Sequence, residues 1–315
     1  MPVGLIFWLL GGGRTLAAAT SPTGITVSPA FAQIALKDEA EHPVTFQITN
    51  NLSQPQTILL STADFNSLNE SGGLFFVGTN PLEIQNKYGL ANWMSFSQPK
   101  VTIPPKQTAS LTVVILNRAD LASGGHYGAL MMAIDTGTSL PGQKNKIALQ
   151  PIASSLLFVD KVGGDIYRLN LTTVQAPHNF LGPPTKVTLR FQNNGNTHLT
   201  PRGTVTITDP HGKVVSRGIV NENSALILPE KARLYTVDLS KVSTPVAPGR
   251  YRLVVNYRFD GYDQFRTYQK SFFVLPFNLI ALAIIVVVLA GSIIYLLTSR
   301  LGPKKSRFLS KKYHI

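Results

Sequence analysis

GRYRLVVNYRFD, residues 249–260, is the stretch that decides the fold. Its odd positions Tyr251, Leu253, Val255, Tyr257 and Phe259 are apolar, while Arg250, Arg252, Asn256 and Arg258 are polar. A period of two puts the first set on one face of an extended strand and the second set on the other. Aromatic and β-branched side chains suit such a half-buried pleat. The stretch therefore predicts a strand with one core face and one arginine-rich face.

The same period continues outward. PVTFQIT (43–49) sends Val44, Phe46 and Ile48 to one side, and ASLTVVI (109–115) does so with Leu111, Val113 and Ile115. KVTIPP (100–105) is a short strand stopped by Pro104 and Pro105. TKVTLRF (185–191) offers Val187, Leu189 and Phe191, and GTVTITDPHGKVV (203–215) reads as a hairpin turning at Asp209-Pro210-His211-Gly212. Turn signals recur about every 8–12 residues from Gly24 to Val274, the signature of a sandwich or barrel. IALQPIASSLLFVDKV (147–162) reads as a closing strand and DIYRLNLTTVQ (165–175) as an opening one, with Gly163-Gly164 between them. That divides the β region into domains at 20–163 and 164–275, joined by a glycine pair that permits some pivoting.

Beyond the last strand the pattern changes. The 29 residues from Ser271 to Ser299 carry no charge. Their centre, PFNLIALAIIVVVLAGSIIYLLTS (276–299), is expected to be a transmembrane helix; the 21 residues from Phe277 to Leu297 rise about 30 Å, the thickness of a bilayer core. Pro276 suits a first helical turn. The 16 residues of the tail, 300–315, carry Arg300, Lys304, Lys305, Arg307, Lys311 and Lys312 and no acid. The positive-inside rule places this tail in the cytoplasm, anchored on anionic headgroups, and the β domains outside the cell. Such a topology needs an export signal. Residues 1–19 supply a candidate signal peptide: an apolar run at Val3–Leu10, then Ala17-Ala18-Ala19 as a cleavage site. No Lys or Arg precedes the run, and Arg14 follows it. A start codon lying upstream or an uncleaved anchor are the alternatives, although eight apolar residues are too few to span.

Composition excludes several chemistries. The net charge is +13 and there is no cysteine, so no disulfide, thiolate nucleophile or Cys-ligated metal is available. The charge is uneven: residues 20–164 carry 8 basic and 9 acidic side chains, residues 165–275 carry 14 and 7. A basic domain outside the cell points away from nucleic acid. It is either a solvated face or a contact with an anionic membrane surface or wall polymer, with Arg250, Arg252 and Arg258 as the candidate contact residues. No HExxH, GxSxG, P-loop or Rossmann glycine pattern occurs. No two of His42, His126, His178, His198, His211 and His314 are spaced as i, i+2 or i, i+4. No catalytic residue, metal ligand or cofactor is expected, and the chain is read as a non-enzyme.

One stretch is more specific. Residues 92–134, NWMSFSQPKVTIPPKQTASLTVVILNRADLASGGHYGALMMAI, place Trp93-Met94, a proline-led turn and then Gly124-Gly125-His126-Tyr127-Gly128-Ala129 in order. This resembles the membrane-anchored bacterial surface proteins similar to WxL-interacting proteins. FQNNGNTHLTPRGTVTITDPHGKVV (191–215) looks like the start of an immunoglobulin-like domain common in them. The resemblance implies an all-β chain of two tandem immunoglobulin-like β-sandwich domains plus one C-terminal transmembrane helix. It also implies a peptidoglycan-binding first domain and a partner-binding second one. The sequence departs from it at YDQFRTYQKSFFV (262–274), which lacks the family's Trp. Read on their own, Trp93, Met94 and the glycines are packing residues, and Asn193-Asn194-Gly195-Asn196 is a turn with positive-φ positions.

The expected function is a single-pass, cell-surface binding or scaffold protein that contacts cell-wall polymer or another surface protein. An assembly chaperone that captures an incoming strand is the alternative, since pilus chaperones also carry two sandwiches in tandem. An enzyme with a loop-built site is the remaining one, and would require His126 or His198 beside a carboxylate in a polar cleft.

Overall fold

The computed structural model describes residues 19–20, 24–77, 87–135, 153–177, 181–244, 247–275 and 277–301. Residues 1–18 of the expected leader, Pro276 and the tail from residue 302 lie outside them. Ala19, the expected last residue of the leader, is paired with Val27.

Eleven strands come from residues 19–161: β1 (Ala19–Thr20), β2 (Ile25–Ser28), β3 (Phe31–Leu36), β4 (Glu41–Asn50), β5 (Gln56–Ser67), β6 (Leu74–Val77), β7 (Met94–Ser95), β8 (Lys100–Ile103), β9 (Thr108–Leu116), β10 (Gly124–Ile134) and β11 (Ala153–Lys161). They form two sheets, β1-β2-β4-β9-β7 and β3-β11-β10-β5-β6, with β8 also pairing β5. The chain changes sheet between β2 and β3. The carbonyls freed there are taken up by β11, through Ser155 Oγ to Pro29 O (2.7 Å) and Leu156 N to Ala30 O (3.0 Å). β3 then runs parallel to β11 from Phe31 opposite Leu156 to Leu36 opposite Lys161.

The two sheets face each other across one core. Ile25, Val27, Phe46, Ile48, Val113 and Ile115 from the first meet Leu36, Ile58, Leu130, Met132, Leu157 and Val159 from the second. The expected inward residues of β4 and β9 are among them, because period two leaves no other arrangement with polar neighbours outside. Their outward partners pair as cross-strand rungs, Thr45 with Thr112, Gln47 with Ser110 and Thr49 with Thr108. Met94 is buried in the core, and Trp93 packs against it from a single 3₁₀ turn, Ala91–Trp93.

Eight more strands come from residues 169–274: β12 (Leu169–Gln175), β13 (Lys186–Asn193), β14 (Arg202–Thr208), β15 (Val214–Val220), β16 (Ala232–Asp238), β17 (Ser240–Lys241), β18 (Gly249–Phe259) and β19 (Tyr262–Val274). They form the sheets β12-β13-β16 and β17-β15-β14-β18-β19. A second core lies between them, built from Val187, Leu189 and Phe191 on one side and Tyr251, Leu253, Val255, Tyr257 and Phe259 on the other. The β14–β15 turn falls at 209–212. Asp209 Oδ1 accepts the N–H of His211 (3.0 Å) and of Lys213 (2.8 Å), an Asx turn that explains this acid without chemistry.

Helix α1 (Phe277–Leu301) follows β19 directly. Its segment Phe277–Ser299 has a mean hydropathy of 3.0 and no part of it is buried against the rest of the protein. It is long and apolar enough to cross a bilayer. The hydroxyls of Ser292 and Thr298 bond back to the carbonyls of Val288 and Ile294, four residues earlier. That satisfies them without water.

Phe191 is fully buried and meets the rings of Tyr257 at 5.0 Å and Tyr235 at 5.9 Å, edge to face. Phe191→Ala is expected to lower stability by roughly 3–5 kcal/mol through lost transfer energy and a cavity. Urea unfolding of the full chain in detergent, followed by tyrosine fluorescence, measures it; a loss below about 1 kcal/mol would contradict this packing.

Candidate functional site: a packed joint and an open groove

β10 breaks the period-two rule. Every residue from Gly124 to Ala133 is buried, on both faces of the strand. One face supplies the N-terminal core. The other supplies a separate cluster, Tyr127, Ala129 and Met131 with Phe65 and Phe158, which also takes in Leu228 from the connection between β15 and β16. The outer face of sheet β3-β11-β10-β5-β6 is thus covered around Tyr127 by Leu228 and the ring of His198, both from loops of the C-terminal half.

The two motifs singled out in the sequence meet here. Gly125 N donates to Asn196 O (2.8 Å), and Asn196 Nδ2 donates to Gly164 O (2.9 Å) and Ser123 O (3.2 Å). Asn196 Oδ1 accepts the N–H of Ile166 at 2.6 Å. Thr197 Oγ1 donates to Asp160 Oδ1 (2.9 Å). His198 lies edge-on to Tyr127 and Phe158, at 5.8 and 5.6 Å between ring centres, with its Nδ1 3.3 Å from the Tyr127 hydroxyl. Asn196 thus bridges Ser123 and Gly125 of the first half to Gly164 and Ile166 at the glycine pair.

The Asn193–Asn196 turn is built differently from expectation. None of its residues has positive φ. Asn193 is fully buried and closes the turn itself, donating to Thr197 O (2.8 Å) and Ile227 O (3.0 Å) while accepting from Gly195 N (2.9 Å). Gly195 is needed for space, since a Cβ there would overlap the Ile166 carbonyl oxygen. Gly124, by contrast, does have φ of 110°.

Ion pairs rim the joint. Arg190 grips Glu70 with two parallel bonds, Nε to Oε2 (2.9 Å) and Nη2 to Oε1 (2.6 Å). Lys87 Nζ and the Tyr88 hydroxyl both donate to Glu230 Oε1 at 2.8 Å. The arginine holds the Glu70 carboxyl below the usual range, and Lys87 does the same for Glu230. Pairs this exposed contribute little, because solvent screens them. Burying side chains such as Leu228, Phe65 and Phe158 contributes about 1.5–3 kcal/mol each. The aromatic and aliphatic contact holds the joint, and the ion pairs fix its register.

The histidines of the joint touch backbone and rings. His126 faces two carbonyls, Gly89 O through Nδ1 (3.2 Å) and Ala122 O through Nε2 (2.8 Å). Asp64 nearby is spent on the N–H groups of Leu90 and Ala91 (2.8 and 2.7 Å), and burial raises its pKa. His42 pairs Glu39 at 3.3 Å, and His178 and His314 lie outside the described residues. Among the described residues no three His, Asp or Glu side chains cluster to hold a metal.

The expected surface arginines separate. Arg250, Arg252 and Arg258 are all exposed on β18. Arg250 and Arg252 line a pocket at the β14–β15 turn, whereas Arg258 stands over the ring of Phe265 at 5.7 Å, at the other end of the strand. Arg300 belongs to α1; Lys304, Lys305, Arg307, Lys311 and Lys312 lie outside the described residues.

Sequence reading missed a groove of about 680 Å³ between β15 and β16. On its outer side β15 pairs the two-residue β17 at Ser216 and Arg217, and its Val214 and Val215 carbonyls accept from Ser243 and Val242. β16 pairs β13 on one side. On the other, Leu234 N donates to Glu70 O (2.8 Å), so the alternate N–H of Thr236 points the same way, into the groove. Ile219, Val242 and Leu234 line it while 59, 58 and 38% exposed. Arg217, Arg233, Glu222 and Asp238 provide charge of both signs around it.

No family model matches the chain, and no curated protein sequence matches it. Among solved structures it is similar to a chain of the chaperone–tip adhesin complex of CFA/I fimbriae biogenesis, with 11% identity and a TM-score of 0.42 over 80% of this chain and 99% of that one. It is also similar to the class 5 fimbriae chaperone CfaA, at 10% and 0.37 over 80% and 99%. The CsuC–CsuE chaperone–tip adhesion subunit pre-assembly complex of Acinetobacter baumannii gives 11% and 0.37 over 78% and 97%. At such identities and scores the function of this chain is to be argued from its own surfaces.

Burial is the first cause that lowers the pKa of His198, with Asp160 and Asp260 opposing it in part. A depressed folded-state value means that the unfolded chain binds the proton first. The stability His198 contributes is present above the usual histidine value of 6.5 and is lost as pH falls below it. His198→Gln is expected to flatten the fall of melting temperature between about pH 7 and 5. Parallel slopes for the two proteins would show that His198 is not held neutral.

Proposed function

We propose that this chain is a membrane-tethered binding protein that holds an extended segment of another protein by strand addition, as an assembly chaperone or scaffold does. Two immunoglobulin-like domains, divided at Gly163-Gly164, are carried outside the membrane by α1, with the basic tail on the cytoplasmic side. The observation that carries the binding role is the β15–β16 groove, in which an unpaired strand edge lies beside exposed Ile219, Leu234 and Val242.

Unpaired edges are hazards, and proteins blunt them with charge, proline, bulges or a covering segment. Beyond Leu234, whose N–H is taken by the Glu70 carbonyl, the groove edge of β16 carries no charge, proline or bulge over residues 235–237. Its open hydrogen-bonding groups are backbone, which favours a polypeptide over a glycan as occupant. Apolar residues at every second position of an incoming strand would fall onto Ile219, Leu234 and Val242, and main-chain bonds would supply affinity without demanding a fixed sequence. The Glu70 carbonyl on Leu234 N already makes the first bond of such a ladder from within the chain. Binding of this kind needs no catalytic group.

A displayed peptide library selected on the full chain in nanodiscs tests this. Selected peptides are expected to alternate apolar and polar residues. Backbone N-methylation of the peptide, Thr236→Pro or Leu234→Asp should each weaken binding at least tenfold, with the chain still folded by circular dichroism. N-methylated peptides that bind as tightly as the unmodified ones, or binding that ignores Leu234→Asp, would rule out strand addition at this groove.

A further inference from the structure

We infer that the pocket lined by Arg250 and Arg252 is a docking site for the phosphate of an anionic phospholipid headgroup. The pocket has a volume of about 330 Å³ and also presents Thr208, His211 and Ser271. Neither guanidinium has a carboxylate partner among the described residues. The one carboxylate at the pocket, Asp209, is 6% exposed and turned back onto the N–H groups of His211 and Lys213. Two planar, permanently charged forks beside two hydroxyls match phosphate oxygens, which accept paired N–H bonds from arginine.

Position selects lipid over other sources of phosphate. Arg250 lies opposite Phe273, Arg252 opposite Ser271, and Gly249 opposite Val274 at the end of β19. α1 begins at Phe277, three residues on, a reach of at most about 10 Å. If α1 spans the bilayer, the pocket stands at headgroup level. Phe273 and Leu275, 54 and 38% exposed, flank this end. Apolar side chains there can enter the interface while the arginines meet the phosphates. Arg258 cannot share this role. It lies eight residues along β18 from Arg250, roughly 26 Å away along the strand. The arginine trio expected from sequence to act together is therefore divided, with Arg250 and Arg252 at the bilayer and Arg258 remote from it.

Native mass spectrometry of the full chain released from detergent, titrated with phosphatidylglycerol or phosphatidylcholine of the same acyl chains, tests the site. Phosphatidylglycerol should be retained in preference, R250A/R252A should reduce that retention at least tenfold, and R258A should leave it unchanged. All three forms should melt together, since these side chains are exposed. The double variant keeps the basic tail, so any retention due to the tail persists in it. A parallel titration with inorganic phosphate separates the sources: weak phosphate binding with strong lipid retention fits a headgroup site. Equal retention of the two lipids, an effect of R258A as large as that of R250A/R252A, or phosphate binding lost in R250A/R252A with lipid retention intact would each overturn the proposal.

Discussion

The burial of β10 on both faces is the constraint from which the rest follows. An antiparallel strand that covers a single core has a wet face and shows polar residues on it. Gly124–Ile134 has neither, because its second face is covered by the cluster that includes Leu228 and by the ring of His198. Without that cover, Tyr127, Ala129 and Met131 would form an exposed apolar patch on the N-terminal sheet. The joint is thus part of the stability of both halves. The glycines of the motif serve it locally: a Cβ on Gly128 would press on Leu90 and Met94, and one on Gly125 would collide with the Tyr127 hydroxyl.

That joint also decides which surfaces stay open. The Glu70 turn reaches over to grip Arg190 and to bond Leu234, so it covers the start of β16 and stops there. β17 is two residues long and covers only part of β15. Between these short covers the edges diverge into the groove. Its openness comes from covers that end early, while the cores on either side remain closed.

Much of this architecture is legible in the sequence because period two is a strong signal where one face is dry. The inward residues of β4, β9, β13 and β18 and the turn at Asp209 follow from it. The terminal helix follows from length and hydropathy. The joint was harder to see, although a hint was present: GALMMA carries no polar residue to face solvent. Two segments 70 residues apart cannot be matched by local patterning alone. The Asn193 turn was misjudged for a related reason. Glycine in a turn suggests positive φ, but here it answers a contact with Ile166, a neighbour no local window contains. The groove had no signal at all, since exposed Ile219, Leu234 and Val242 look like ordinary strand residues.

Geometry links the three surfaces. β18 runs from Gly249, beside the start of α1, to Phe259 and the neighbouring Asp260, which accepts from Thr200 N and Arg202 near the joint. Eleven residues of strand span about 36 Å, which sets the length of the C-terminal sheets. Ile219 is opposite Thr204, and Thr204 is opposite Asn256, while Val242 bonds Val215 toward the Arg252 end, so the groove runs along the length of the sheet. If α1 spans the bilayer and Arg250 and Arg252 meet headgroups as proposed, the C-terminal sheets would be held at two points and could not roll freely about the helix axis. The packed joint then passes that orientation to the N-terminal sheets. Anything held in the groove would be presented at a fixed height and facing a fixed way above the membrane, which a flexible glycine hinge could not achieve.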